Sequence, residues 1–164
     1  MEEELRKVRS DLVLSGVGVM LFGVWAFVKM ILYCLFAKSY VNRLLELGGA
    51  EAEMRTVVIL VWLFFAFISM VLYLYIGFCA FREGRSGLLR RRGYRFLAVL
   101  ELLMGVYALI SNGVAFFDGR MDVIELLSEV LLGVGSIGAL WSLVRSTGRL
   151  RKLTKEEENI SHAD

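Results

Sequence analysis

Three ionisable side chains in this 164-residue sequence, Lys29, Glu101 and Glu129, each stand inside a long apolar stretch. Glu125 lies near the edge of the last such stretch, and Asn112 brings an amide into the third. A charge at the centre of a bilayer costs roughly 2.5–3.5 kcal/mol on insertion scales, so such residues are usually paired or functional. A lysine and carboxylates support an ion pair, a binding site for a polar group, or proton transfer. Lys29 sits about four residues, roughly 6 Å at the helical rise, from the middle of its stretch, and Glu129 lies about as far along in the fourth. Asn112 falls in the matching half of the third. The spacing predicts one cluster of Lys29, Glu129 and Asn112 with Glu125 above it. That cluster is either a ligand site or an ion pair that fixes helix register. Glu101 falls in the other half, with Ser15, Tyr73, Arg82 or Arg85 as partners.

Other chemistry is missing from the sequence. The single histidine is His162. No Cys/His metal spacing, glycine-rich phosphate loop or nucleophile–base pair occurs. This argues against a hydrolase, a metalloenzyme or a nucleotide-driven pump, and for a non-enzymatic protein with no cofactor and no metal. Cys34 and Cys79 form no CxxC and fall ~25–30 Å apart along helical spans, outside disulfide reach.

The elements that position these groups are four stretches nearly free of charge: 12–37, 56–81, 94–117 and 123–144. Each exceeds the ~20 residues a helix needs to span a ~30 Å hydrocarbon core. The composition agrees, with 57% hydrophobic residues and a mean hydropathy of +0.63. The runs are too long and too uniformly apolar for the strands of a membrane barrel. The first is too long for a signal peptide and lacks a small-residue cleavage site. The expected fold is an all-α integral membrane four-helix bundle forming a single domain over residues 1–164. The sequence contains no proline, so continuous helices are expected.

Lys and Arg counts set the orientation. The N-terminal segment, the second loop and the tail hold fourteen basic residues, and the first and third loops hold four. Both ends are therefore expected in the cytoplasm. In the first loop, 38–55, Tyr40 to Leu47 suits a short interfacial helix ended by Gly48-Gly49. The second loop carries Arg90, Arg91 and Arg92, whose charge suits anionic lipid headgroups. So short a loop beside a membrane is a poor nucleic-acid binder.

Lipid tails are as apolar as leucine, so helices associate through small residues and polar bonds. Residues three and four apart share a helix face. One stripe per span follows: Ser15, Gly18, Phe22, Trp25 and Lys29; Trp62, Ala66, Ser69, Tyr73, Gly77 and Ala80; Glu101, Gly105, Ala108, Asn112 and Ala115; Glu125, Glu129, Gly133 and Ser136. Gly16, Gly23, Gly135, Gly138 and Ala139 fall off these stripes. They form either a face for a second subunit or another membrane protein, or a packing surface between spans one and four.

The run from Gly16 to Trp25 followed by Lys29 resembles the first span of small four-span proteins of Gram-positive bacteria. Tyr75-Ile-Gly77 leading to Arg82-Glu-Gly-Arg85 is similar to their second span and loop. The resemblance covers about a quarter of the chain. It implies the architecture and a bacterial inner membrane, and no activity. Small multidrug-resistance transporters share the four-span size, but their acidic residue belongs in the first span, where this chain has Lys29. Two functions are expected from the sequence. The first is a non-catalytic membrane protein that assembles with itself, another membrane protein or lipid. The alternative is a small transporter or ligand-binding protein that uses the Lys/Glu/Asn cluster.

Overall fold

The computed structural model describes residues 2–36, 55–86, 93–119, 121 and 123–161. Among these are four helices: α1 (Glu2–Phe36), α2 (Arg55–Ser86), α3 (Gly93–Phe117) and α4 (Val123–Ser161). The described chain is all-α, and each helix contains a span long and apolar enough to cross a membrane. α3 closes on Gly119, whose φ of +70° is the left-handed conformation glycine adopts without a Cβ penalty. The expected interfacial helix at Tyr40–Leu47 and the arginines Arg90, Arg91 and Arg92 lie outside the described residues.

Three helices outrun the apolar stretches that announced them, α2 by little more than a turn, to Ser86, and α1 and α4 by far more. α1 begins well before Leu12, and α4 continues well past Val144. The cause is a seam of alternating three- and four-residue steps. Leu5, Val8, Leu12, Ser15 and Val19 of α1 are buried, as are Leu140, Leu143, Thr147 and Leu150 of α4. This spacing keeps one stripe facing its partner along a whole coiled-coil pair. The pair is antiparallel. The Ser15 and Ser142 hydroxyls lie 2.9 Å apart and Lys29 meets Glu129, which places the start of α1 and the end of α4 at one end of the bundle.

α1 serves two neighbours on two faces. Its second face meets α2 through glycines seven residues apart on each helix: Gly16 and Gly23 on α1, Gly77 and Gly84 on α2. A Cβ on Gly77 would stand 2.5 Å from the Gly16 carbonyl oxygen, and one on Gly84 would stand 2.9 Å from the Arg9 oxygen. A Cβ on Gly23 would collide with the Tyr73 Cβ. On the far side, Leu109 of α3 fills the notch at Gly133 of α4, and Ile137 lies over Gly105. The chain order around the bundle is α1, α2, α3, α4. α2 and α3 pack on each other least of the neighbouring pairs.

Of the two roles expected for the residues off the stripes, these contacts show packing within the bundle, between α1 and α4 at Gly135 and Ala139 and against α2 at Gly16 and Gly23. Gly16 and Gly23 are spent on α2. Gly135 receives the Phe22 ring of α1, and Ala139 packs against the core beside Gly18. Of Gly16, Gly23, Gly135 and Gly138, only the last keeps open space beyond its Cα. Trp25 and Trp62, placed inward by the stripe pattern, are exposed. One stripe per helix was too few for α1, which lies between two partners.

Burial is concentrated at the end that holds both termini. Leu12, Ile76, Ala80, Ala98, Leu140 and Leu143 are fully buried there. Toward the other end, Val57, Leu60, Val61, Phe64 and Phe65 of α2 are all exposed. The bundle is closed at the end with the start of α1, and burial thins toward the other, where Tyr33 and Ser128 still join α1 to α4.

Candidate functional site: a chamber walled by all four helices

Above the closed end lies a cavity of about 380 Å³. Its polar groups come from every helix: Lys29 of α1, Ser69 and Tyr73 of α2, Glu101 and Asn112 of α3, Glu129 and Ser136 of α4. Each arrives there because it occupies the inward face of a continuous helix at a similar depth.

The strongest contact is Lys29 Nζ donating to Glu129 Oε1 at 2.7 Å, with both side chains about one-fifth exposed. Tyr33 extends this pair. Its ring lies 5.5 Å from the Lys29 nitrogen, within cation–π distance. Its hydroxyl is 2.9 Å from Ser128 Oγ. Lys29 is thus held by a carboxylate and a ring face, and the pair joins α1 to α4 across the seam.

Glu101 lies lower in the chamber and is half-buried. It makes no hydrogen bond or ion pair among the described residues. Of the partners expected for it, Ser15 is bonded to Ser142, and Arg82 and Arg85 are exposed at the end of α2. Tyr73 is the one that stays close. Its hydroxyl turns to Ser136 and lies within electrostatic reach of the Glu101 carboxylate. Asn112 lines the wall without a hydrogen bond among the described residues. Glu125 is half-buried on α4 one turn beyond Glu129 and does not line the chamber.

Sequence reasoning missed a polar knot beneath the chamber. Glu83, read as one charge in a basic loop, belongs to α2 and is 1% exposed. Tyr94 of α3 donates to its Oε2 at 2.6 Å, and the same hydroxyl lies 3.3 Å from Thr147 Oγ1 of α4. Thr147 in turn donates to the Leu143 carbonyl at 2.8 Å. The knot ties three helices at the closed end, and Glu83 Oε1 has no hydrogen-bond partner among the described residues. The available signal was position: Glu83 falls one helical step below Ala80 and two below Ile76, on the buried face of α2.

Tyr94→Phe removes the only hydrogen-bond donor, among the described residues, to the buried Glu83 carboxyl group. An unsatisfied buried polar group costs ~1–3 kcal/mol, more when charged. The unfolding midpoint of Tyr94→Phe in mild detergent should fall clearly. Glu83→Gln, whose amide oxygen still accepts from Tyr94, should fall less. Equal midpoints for Tyr94→Phe and wild type would show the knot to be dispensable.

Compared with protein-family models, curated proteins and solved structures, the chain matches none.

Proposed function

We propose that this chain is a multi-pass membrane protein that binds a small molecule in its four-walled chamber, as a small transporter or ligand-binding protein. One observation carries the reading. The intramembrane polar residues of all four helices converge on one cavity of about 380 Å³, within the ~300–1,000 Å³ of typical ligand sites. A bundle that needed polar contacts only for register would close over them. Here the closed end lies below and the chamber stays open.

Membrane residence is supported by the outer surface, where residues such as Leu14, Leu21, Phe64, Leu103, Ile110 and Leu131 are exposed. So large an apolar surface is stable only in lipid or against a partner. The excess of Lys and Arg on the side of both chain ends supports a cytoplasmic position for those ends. The resemblance of its first two spans suggests a bacterial cytoplasmic membrane. The charge of Arg90, Arg91 and Arg92 then suits anionic headgroups, at about 1 kcal/mol of attraction per residue. A reporter fused after Asp164 should be active only in its cytoplasmic form, and activity outside would invert this orientation.

A second reading, assembly with itself or another membrane protein, is favoured by Gly138. It is an open notch on the outer face of α4 between the exposed Val134 and Trp141. Native mass spectrometry from the source membrane separates the two. The ligand reading expects a reproducible small-molecule mass that Ala108→Trp, which fills the chamber, removes. The assembly reading expects a defined oligomer that Gly138→Leu dissolves.

A further inference from the structure

The chamber carries a charge imbalance that specifies its occupant. Lys29 and Glu129 neutralise one another at 2.7 Å. Among the described residues Lys29 is the only basic one in the chamber wall, so the ionised chamber has one negative charge left over, on Glu101. Three aromatic rings, Phe22, Phe27 and Tyr73, share that wall, and ring faces attract cations. The remaining lining is mostly aliphatic and small. The chamber is also open sideways. Ser69 of α2 and Met104 and Ala108 of α3 line it, yet remain exposed along the weakly packed α2–α3 side. That side faces the acyl chains in a spanning bundle, and the closed end blocks direct entry from the side of the chain ends.

Resting on the ligand-binding reading above, we propose that the chamber takes a hydrophobic organic monocation, an amphiphilic amine or quaternary ammonium. It enters from the bilayer between α2 and α3 and uses Glu101 as its counter-ion. An anion fits poorly, because the ammonium that lines the chamber, Lys29, is already held by Glu129 and the Tyr33 ring. A neutral hydrocarbon gains nothing from Glu101. A monocation restores neutrality, places its charge among rings and a carboxylate, and covers the aliphatic wall with its apolar body.

The test uses the full chain in phosphatidylcholine nanodiscs, which carry no net surface charge, and titration calorimetry with three probes of one shape. These are benzyltrimethylammonium, its uncharged carbon isostere neopentylbenzene, and benzenesulfonate as the anion. Wild type should bind the ammonium at least tenfold more tightly than either other probe. Glu101→Gln should lose that preference, and Glu101→Asp, which keeps the carboxylate, should retain binding within a few-fold. Binding of the ammonium that Glu101→Gln leaves unchanged overturns the counter-ion assignment. A preference for the uncharged or anionic probe, abolished by Ala108→Trp, overturns the cation class and leaves the chamber reading standing. Binding of none of the three overturns the cation proposal. If native mass spectrometry of the same protein also shows no small-molecule mass, the chamber reading falls with it.

Discussion

Lys29→Met should be among the most damaging single substitutions in this chain, lowering stability by about 3 kcal/mol. Removing one partner of a buried ion pair typically costs ~3–5 kcal/mol, because the other charge is left buried and uncompensated. The lower end applies here, since Glu129 is about one-fifth exposed to the chamber. The second replacement distinguishes a mechanism from a mere loss. Lys29→Met combined with Glu129→Gln leaves no buried charge, so most of the stability should return. A double-mutant cycle on SDS unfolding midpoints measures this directly. Additive losses would show that the two side chains act independently of their 2.7 Å contact. Lys29 and Glu129 thus contribute to structure whatever the chamber binds. For that reason Glu101, which supports no other side chain by an ion pair, is the better probe of ligand binding.

The second large effect contrasts two glycines under one substitution. Gly77→Leu places a side chain where even a Cβ would meet the Gly16 carbonyl oxygen at 2.5 Å. Backbone does not yield as a side chain does, so α1 and α2 must separate. Overpacking typically costs ~1–3 kcal/mol, and Gly77→Leu should reach or exceed the top of that range. Gly138→Leu meets nothing within 4 Å and should stay within ~0.5 kcal/mol, as open surface sites do. Thermal unfolding of both variants in the same detergent checks the contrast. A tolerant Gly77 would mean that the α1–α2 crossing is looser than its glycines imply.

The existence and approximate position of all four helices were legible because twenty or more consecutive apolar residues have few alternatives. Their ends were less legible. Reading apolar runs stops at the first charges, so the segment Glu2–Asp11 was passed over, although Leu5 and Val8 continue the seam through it. The chamber was legible only in part: Glu101, expected apart from Lys29, Glu129 and Asn112, shares their chamber, and Glu125, expected with them, does not line it. Glu101, Gly105, Ala108 and Asn112 recur on one face of α3, and all four line it. What the pattern could not convey was how many neighbours each helix has. A stripe identifies an inward face only for a helix with a single inward direction. α1 has two, so Gly16 and Gly23 looked spare when they were the contact surface for α2. Glu83 was hidden differently: five arginines surround it within 82–92, and composition cannot reveal that one charge in a basic segment turns inward.

The Lys29–Glu129 contact also bears on how the protein is made. Its partners are 100 residues apart in the chain. At about 5–20 residues per second of synthesis, Lys29 waits roughly 5–20 s for its carboxylate. Through that interval the nascent α1–α2 hairpin can already lock by its glycines, with an unmatched ammonium on its open flank. Arrival of α4 cancels that charge and zips the α1–α4 seam in the same step. A chain that stalls before Glu129 keeps its lone cation without that carboxylate, which sets an unfinished copy apart from a finished one.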